Sequence, residues 1–524
     1  MSAQHALTAW NKVSRAVQPA GLLLSALALT LPTSQAHAGL NNSGWSYISS
    51  QGNAGFGSNI VSIGDFNGDT RPDVALAAGG WVPPGTSSRQ GAVFIWLGTG
   101  SGYGLTSTTP TYMLTADNFN GSGFGAAVSS GDVNGDGLAD VIVGATSEQK
   151  VGGVYVFYGR TGFPMSNQPV QLTHNWKFVG MDQGPYFGWS VAGGSDVNCD
   201  GIKDILVTSH ASTGPTNSCQ ELADISDGNN TDNNYTGVYA GAVVAFYGGS
   251  VLPSTPSWSS YGRVYLSEFG WDMDAVGDFN GDGCDDFVVG SPRWGWYEAN
   301  RGSIDLFLGQ PDNPNVACDG PTRSIPVETY MDDYVLDYQV NGARFGVGIS
   351  SAGDINADGL GDVIVSSSGY EDATNTPDEG GFWIIYGIDE QYSTLTALPT
   401  TPFDTSNQGY ANMGAAAMPA GDVNGDGFDD VVVGSPGYDY SSSTGAYYYN
   451  EGRIHLYLGS ANGLVYPAAA TLDSLGYWAN GGQGVSGIGD VDGDGREEIL
   501  MGAPGWDTNY GVNLGKLFLL DYTP

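Results

Sequence analysis

The chain has 524 residues, with 82 glycines, 55 acidic and 16 basic residues, and a formal net charge of −39 at pH 7. This charge excludes nucleic acid as a partner, because phosphate binding depends on lysine and arginine. Hydrophobic residues make up 41% and aromatic residues 12% of the chain, which excludes intrinsic disorder and allows a sizeable core.

Residues 1–38 have the pattern of a secretory signal peptide. Lys12 and Arg15 precede an apolar stretch at 20–31, and small residues at 36–38 supply a cleavage site. The apolar stretch is too short to span a bilayer, and no later segment has 18 uninterrupted apolar residues. We therefore expect a mature product that does not span a membrane and is secreted to the extracellular space, the cell surface or the periplasm.

One nine-residue pattern, D-x-[ND]-x-D-x-x-x-[DE], occurs seven times, each time followed by an apolar, β-branched run typical of a strand. Successive first aspartates are 64 to 82 residues apart, which indicates a repeated structural unit. Positions 1, 3, 5 and 9 of the seven loops are occupied by Asp65, Asn67, Asp69 and Asp73; Asp132, Asn134, Asp136 and Asp140; Asp196, Asn198, Asp200 and Asp204; Asp278, Asn280, Asp282 and Asp286; Asp354, Asn356, Asp358 and Asp362; Asp422, Asn424, Asp426 and Asp430; and Asp490, Asp492, Asp494 and Glu498.

The same residues flank each unit. Phe-Gly stands about nine residues before the first aspartate in five units, and the strand after the loop often ends in Gly-Ala or Gly-Ser-Pro, as at 144–145 and 434–436. This arrangement resembles the FG-GAP repeat of the integrin α-subunit N-terminal propeller. The resemblance covers essentially all of 39–524 and implies an all-β fold, a seven-bladed β-propeller of four-stranded antiparallel blades. The unit length supports it independently, because about 65 residues hold four short strands and their turns.

The two ends of the repeat region predict how the ring closes. The seventh unit ends with its third strand at 516–520, and a spare strand at 45–49 precedes the first Phe-Gly. Pairing them would complete the last blade and remove an exposed sheet edge. We expect one domain over 39–524, with a surface insertion near 211–234.

The acidic loops are predicted calcium sites. Alternating carboxylate and amide side chains with a further acid at position 9 provide the hard oxygen ligands that Ca²⁺ prefers, so up to seven ions are expected. Position 6 is glycine except at Thr70, which makes the first site the weakest. Zinc is a poor alternative, because Cys199 and Cys284 occupy non-ligand side-chain positions. The integrin resemblance implies a backbone carbonyl ligand at position 7, from Arg71, Leu138, Ile202, Cys284, Leu360, Phe428 and Arg496.

The loops joining strands 2 to 3 and 4 to 1 share the face opposite the acidic loops, and those joining strands 2 to 3 are rich in aromatic residues. Exposed Trp and Tyr suit sugars and protein hot spots, although packing at a blade end is the more ordinary role for any one of them. The candidate ligand-binding residues are Trp81, Trp294, Trp296, Tyr297, Tyr370, Tyr438, Tyr440, Tyr447, Tyr448, Tyr449, Trp506 and Tyr510.

Four cysteines, Cys199, Cys219, Cys284 and Cys318, are expected to form disulfides in an oxidising compartment. Cys284 and Cys318 fall in connections on the same face of one predicted blade, which favours that bridge. Cys199 to Cys219 follows by elimination.

Catalytic signatures are scarce, and no catalytic residue is predicted. Only His174, His210 and His455 follow the leader, without H-E-x-x-H or G-x-S-x-G. The sequence favours a secreted, calcium-binding, non-catalytic adhesion module for protein or carbohydrate partners. One alternative is a polysaccharide lyase or other hydrolytic enzyme, which rests on fold analogy alone. Another is a structural subunit of a cell-surface assembly that buries its aromatic rim against copies of itself.

Overall fold

The computed structural model describes residues 39–101, 104–105, 109–117, 121–162, 168–180, 186–212, 241–262, 267–293, 302–311, 322–323, 343–371, 377–388, 401–441, 447–474, 476, 478–507 and 513–523. The predicted signal peptide and most of the predicted insertion lie outside these residues.

Seven blades form the fold, each built on four antiparallel strands. Each blade contains one acidic loop, between its first and second strands. The N-terminal strand is β1 (Leu40–Ile48). The first blade contains β2 (Asn59–Gly64), β3 (Asp73–Ala78), β4 (Ala92–Trp96) and β5 (Tyr112–Leu114). The second contains β6 (Phe124–Gly131), β7 (Asp140–Ala145), β8 (Gly153–Phe157) and, after β9 (Val170–Leu172), β10 (Trp176–Val179). The third contains β11 (Val191–Ser195), β12 (Asp204–Ser209), β13 (Ala242–Phe246) and β14 (Trp258–Tyr261).

The remaining blades repeat this order. The fourth contains β15 (Met273–Gly277), β16 (Asp286–Ser291), β17 (Ser303–Leu308) and β18 (Thr322–Arg323). The fifth contains β19 (Gly348–Gly353), β20 (Asp362–Ser367), β21 (Gly381–Ile385) and β22 (Asp404–Thr405). The sixth contains β23 (Ala416–Gly421), β24 (Asp430–Ser435), β27 (Arg453–Tyr457) and β28 (Ala470–Asp473), with a hairpin of β25 (Tyr440–Ser441) and β26 (Tyr447–Tyr448) between β24 and β27. The seventh contains β29 (Gly484–Gly487), β30 (Ile499–Ala503) and β31 (Lys516–Tyr522). A short 3₁₀ helix covers Glu148–Lys150, between β7 and β8 of the second blade.

The first strands of neighbouring blades contact one another around the whole ring, from β2 through β6, β11, β15, β19 and β23 to β29 and back to β2. The predicted closure is confirmed, because β1 pairs antiparallel with β31, with Leu40 opposite Tyr522 and Ile48 opposite Lys516. The protein is therefore the predicted seven-bladed β-propeller, and its N-terminal strand completes the last blade.

The first blade has a fifth strand that the sequence analysis did not predict. β9 lies between β8 and β10 in the chain, yet it pairs in parallel with β5, with Tyr112 opposite Val170. It thereby covers the outer edge of the first blade, which would otherwise present unpaired backbone groups.

The hydrophobic core lies between the blades. The second strand of a blade packs between two neighbouring sheets, and in β7 every residue from Asp140 to Ala145 is buried. Strands buried on both faces carry continuous rather than alternating apolar residues, as these β-branched runs do.

The Gly-Ala or Gly-Ser-Pro motif of one blade packs against the Phe-Gly motif of the next. A Cβ atom on Gly144 would collide with the backbone carbonyl oxygen of Gly188, and Gly434 stands in the same relation to Gly482. Gly188 has a φ of +83°, which a larger residue would adopt only with strain. The repeat motif is thus a contact between blades.

Candidate metal centres

Each acidic loop turns around the side chain at its first position. In the second loop, Asp132 Oδ1 accepts hydrogen bonds from the backbone N–H groups of Gly135 at 2.8 Å and Asp136 at 3.0 Å. Asp132 Oδ2 accepts another from Gly137 N–H at 2.8 Å. Three amides therefore hold one carboxylate inside the turn.

The side chains at positions 3 and 5 converge on the same space. Asn134 Oδ1 accepts from the Asp136 N–H at 2.8 Å, and its Nδ2 donates to Asp136 Oδ2 at 3.0 Å. Asp136 Oδ1 accepts from the Leu138 N–H at 2.9 Å. The sixth loop repeats these bonds with distances of 2.8, 3.0 and 3.1 Å.

The acid at position 9 is buried in every set. Asp140 is fully buried, its Oδ2 accepts from the Val133 N–H at 3.1 Å, and its Oδ1 accepts from the Gly159 N–H at 2.9 Å. Gly159 follows the third strand of the blade, so this carboxylate ties the loop to the rest of its sheet. The equivalent acids are also buried: Asp73, Asp204, Asp286, Asp362, Asp430 and Glu498.

Burial raises the pKa of every position-9 acid into the neutral range. The carboxylates at positions 1 and 5 raise it further in the first six loops, and Asp492, Asp490 and Asp521 do so for Glu498. The pKa is about 8 for Asp73 and Glu498. It is about 7 for Asp140, Asp204, Asp286, Asp362 and Asp430. A buried cluster of like charges favours either a bound proton or a bound cation, and a divalent cation supplies the missing positive charge.

The seventh loop has the most acidic donor set. Asp490, Asp492, Asp494 and Glu498 each offer a carboxylate oxygen within 4.8 Å of the others. An all-oxygen set of this kind fits Ca²⁺, and the other loops substitute an asparagine amide oxygen at position 3.

The loop backbone has positive φ at position 6, which explains the glycine found there in six of the seven loops. Thr70 has a φ of +70°, beside values of +88° to +91° for the glycines of the other six loops. Position 4 also has positive φ, which the sequence analysis did not note, and there the third and fifth loops carry Cys199 at +60° and Ala357 at +56°.

Neighbouring loops are hydrogen-bonded to one another. The Ala139 N–H of the second loop donates to the carbonyl oxygen of Asp65 in the first at 3.0 Å. The Arg160 N–H, just beyond the third strand of the second blade, donates to the Phe66 carbonyl at 2.8 Å. The Gly361 N–H makes the same bond to Asp278 at 2.9 Å. The loops therefore form a connected band on one face of the ring.

A disulfide joins Cys199 to Cys284, with Cα atoms 5.2 Å apart, so the predicted pairings are wrong. Cys199 is position 4 of the third loop and Cys284 is position 7 of the fourth. Adjacent blades bring these loops side by side, and Lys203 Nζ lies 2.7 Å from Asp285 Oδ2 across the same junction. Cys219 and Cys318 lie outside the described residues.

The profile of the FG-GAP repeat matches this chain at residues 56–96, 124–157, 269–307, 413–457 and 482–520. These matches fall on five of the seven blades, and the third and fifth blades carry the same loop geometry. The chain is an integrin-α-like propeller with FG-GAP repeats in five of its blades.

Curated relatives of this FG-GAP propeller include integrin α chains. Integrin alpha-5 of Xenopus laevis is 26% identical over 256 residues, which cover 49% of this chain and 21% of that protein. Integrin alpha-V of Gallus gallus is 26% identical over 267 residues, covering 49% and 22%. Integrin alpha-M of Mus musculus is 43% identical over 89 residues, covering 16% and 7%. The matched regions thus span about a fifth or less of these relatives.

Among solved structures, the crystal structure of exotype rhamnogalacturonan lyase YesX aligns with 93% of this chain and 75% of that chain, at 12% identity and a TM-score of 0.37. In the described part of the FG-GAP propeller, no helix has the length and hydrophobicity to cross a bilayer.

On the opposite face of the FG-GAP propeller, four predicted ligand-binding residues lie at equivalent positions just after the second strand, and all pack against their own blade. Trp81 makes an edge contact with Phe94 at 6.3 Å between ring centroids, and Tyr370 makes one with Trp383 at 5.5 Å. The other two lie beneath cations: the Arg453 guanidinium carbon is 3.8 Å from the Tyr438 ring centroid, and Lys516 Nζ is 5.0 Å from that of Trp506.

The other predicted rim residues are only partly described. Tyr440 and Tyr448 pair in the β25–β26 hairpin. Trp294, Trp296, Tyr297 and Tyr510 lie outside the described residues.

The structure adds aromatic residues that the sequence analysis missed. Tyr410 is 62% and Trp478 is 54% exposed, in the connections that lead into the sixth and seventh blades. Each stands three residues before the Phe-Gly-equivalent position in a [Tyr/Trp]-Ala-Asn-x-Gly sequence, which is the signal that could have found them. Between the third and fourth blades, Trp189 lies 4.3 Å from His210 and 5.0 Å from Trp271 between ring centroids.

The three histidines that follow the predicted signal peptide lie in structural contacts. Burial lowers the pKa of His210 to about 4 and that of His455, inside β27, to about 3, so both imidazoles are neutral at physiological pH. His174 Nδ1 lies 3.2 Å from Asp117 Oδ1, beside the Lys177–Glu148 ion pair of 2.9 Å.

Proposed function

We propose that this protein is a secreted, calcium-stabilised, non-catalytic binding module. Calcium ions occupy the acidic loops on one face, and an extracellular protein or carbohydrate binds the opposite face. The observation that carries the proposal is the repeated loop with its buried position-9 acid, because a divalent cation offsets the charge of these clustered carboxylates.

Calcium would be held by the side-chain oxygens at positions 1, 3, 5 and 9, with the position-7 carbonyl as a further ligand. When bound, it would offset two of the three or four negative charges that the ligand positions of each loop carry. The residues of this chain position the loop. Backbone amides orient the position-1 carboxylate, and the position-9 acid links the loop to the third strand of its blade. The calcium face is thus a stabilising scaffold, which leaves the opposite face for a partner.

The likeness to integrin α chains supports binding rather than catalysis. Exposed Tyr410, Tyr449 and Trp478 on the face opposite the loops support a partner site there. The pattern of residues 1–38 supports secretion.

The test incubates the mature protein, residues 39–524, with a glycan array and with immobilised cell-surface proteins, in millimolar calcium or in EDTA. Chromatography with light scattering reports self-association, and mass spectrometry of the bound glycans reports turnover. Calcium-dependent binding without turnover is expected. Release of unsaturated sugar products would replace the proposal with a lyase, and self-association without any partner would replace it with an assembly subunit.

A further inference from the structure

Tyr449 and Trp478 form a flat aromatic step on the face opposite the acidic loops. Tyr449 lies between the second and third strands of the sixth blade and is 47% exposed, and Trp478 lies in the connection to the seventh blade and is 54% exposed. Their ring centroids are 6.3 Å apart with an angle of 24° between the ring planes. Both side chains are about half exposed, so the stacked pair presents aromatic surface to solvent.

Backbone hydrogen bonds fix this step in place. The Trp478 N–H donates to the Tyr449 carbonyl at 3.0 Å, and the Asn480 N–H donates to the Asn450 carbonyl at 3.0 Å. The Gly481 N–H donates to the Glu451 carbonyl at 2.9 Å. Three successive bonds between the two connections mean that little conformational entropy remains to be lost when a ligand binds.

Trp506 packs against the backbone that leads into Trp478. A Cβ atom on Gly476 would lie 2.8 Å from Trp506 Cδ1, so the backbone ahead of Trp478 passes directly over the indole. The Gly505 N–H donates to the Ala479 carbonyl at 3.0 Å. The predicted ligand-binding residue Trp506 is therefore a positioning residue for Trp478.

The charges around this step favour a neutral ligand. Arg453 donates two hydrogen bonds to Asp473, at 2.6 and 3.1 Å. Lys516 is 6% exposed and lies over Trp506. These cations of the sixth and seventh blades are already engaged, and the chain as a whole carries a net charge of −39. A polyanion would meet repulsion here, whereas the apolar face of an uncharged sugar would meet two rings.

We propose that the Tyr449–Trp478 step binds a neutral polysaccharide, with successive pyranose rings lying on the two aromatic faces. This inference rests on the proposed function and names carbohydrate as the partner class at this site. Tyr410 occupies the equivalent position one blade earlier and is 62% exposed, so a longer chain gains a further aromatic contact there.

The experiment titrates the calcium-loaded mature protein with cellohexaose, laminarihexaose, mannohexaose and, as an anionic comparison, hexagalacturonate, using calorimetry and tryptophan fluorescence. The variants are Tyr449→Ala and Trp478→Ala. The control is Tyr466→Ala, because Tyr466 is 63% exposed but lies between β27 and β28 on the calcium face. Melting temperature in calcium checks that each variant is folded.

At least one neutral hexasaccharide is expected to bind, and each of the two variants is expected to weaken it by about tenfold or more, while Tyr466→Ala has no effect. Undiminished binding by both variants, or preference for hexagalacturonate, would overturn the Tyr449–Trp478 step as a site for neutral sugars. Either result would leave the proposed binding module intact. Capture of a protein partner without any neutral sugar would have the same two consequences. Absence of every partner would overturn both proposals.

Discussion

Asp429 of the sixth acidic loop accepts a hydrogen bond on Oδ2 from the backbone N–H of Asp354, the first residue of the fifth loop, at 2.7 Å. Asp285 makes the same 2.7 Å contact with Asp196 between the fourth and third loops. These two position-8 acids thus orient the first residue of the preceding loop. The two junctions are linked in the same direction around the ring.

Asp429→Ala removes the acceptor for the Asp354 N–H and should reduce the free energy of unfolding by about 1–3 kcal/mol, because a partly buried donor loses its partner. Urea unfolding in excess calcium measures the change. Asp429→Asn keeps an amide oxygen at the site and should recover part of the loss. Equal stability of the alanine variant and the parent would show that the contact contributes nothing.

Calcium removal should lower the melting temperature substantially. If free calcium exceeds each dissociation constant about 100-fold, every occupied site adds about 2.7 kcal/mol. Several such sites together rival the net stability of a whole domain, about 5–15 kcal/mol. Differential scanning calorimetry in calcium, in EDTA and in EDTA followed by excess calcium measures the effect. An unchanged transition after chelation would contradict the calcium sites.

Thr70→Gly should stabilise the protein by about 0.5–1 kcal/mol. A left-handed conformation costs a non-glycine residue about 1–2 kcal/mol, and the greater conformational freedom of glycine in the unfolded chain offsets part of that stabilisation. The substitution should also raise calcium affinity at the first site. Urea unfolding with and without calcium measures it. Ala357→Gly, at position 4 of the fifth loop with a φ of +56°, is the parallel case, and Gly137→Ala should have the opposite effect.

Without calcium, the protein should become more stable as the pH falls from about 8.5 to about 5. The position-9 acids have folded pKa values of about 7 to 8, above the value of about 4 for unfolded Asp and Glu. The folded state therefore binds more protons, and stability is lost as the pH rises through the interval between the two values. Denaturant unfolding in EDTA across this range tests the sign, and in saturating calcium the trend should reverse, because protons then compete with the metal.

Non-reducing peptide mapping should recover a cross-linked peptide that contains Cys199 and Cys284. The two residues are 85 positions apart in the chain, and closing a loop of that size contributes about 4.6 kcal/mol in the chain-entropy model. Cys284→Ser should lower the urea midpoint accordingly, with addition of reductant to the parent as the matched comparison. Recovery of a Cys284–Cys318 peptide would contradict the structure.

The repeat itself could be predicted from the sequence because its determinants are local. Asp132 to Asp140 form one nine-residue loop, so the order of residues within that loop is enough to bring its four oxygen-bearing side chains together. Ring closure could also be predicted, because a count of strands leaves the segment at 45–49 unpaired and the last blade one strand short.

Other features depended on which blades become neighbours. Cys199 and Cys284 meet because adjacent loops lie side by side, and β9 pairs with the blade before its own, which no local pattern records. Tyr449 and Trp478 come from different connections, and only the folded backbone holds them side by side. The sequence alone determined the seven loops and the ring, since those follow from short-range spacing. The tertiary structure decided the disulfide and the aromatic step, because contacts between residues far apart in the chain depend on how whole blades pack.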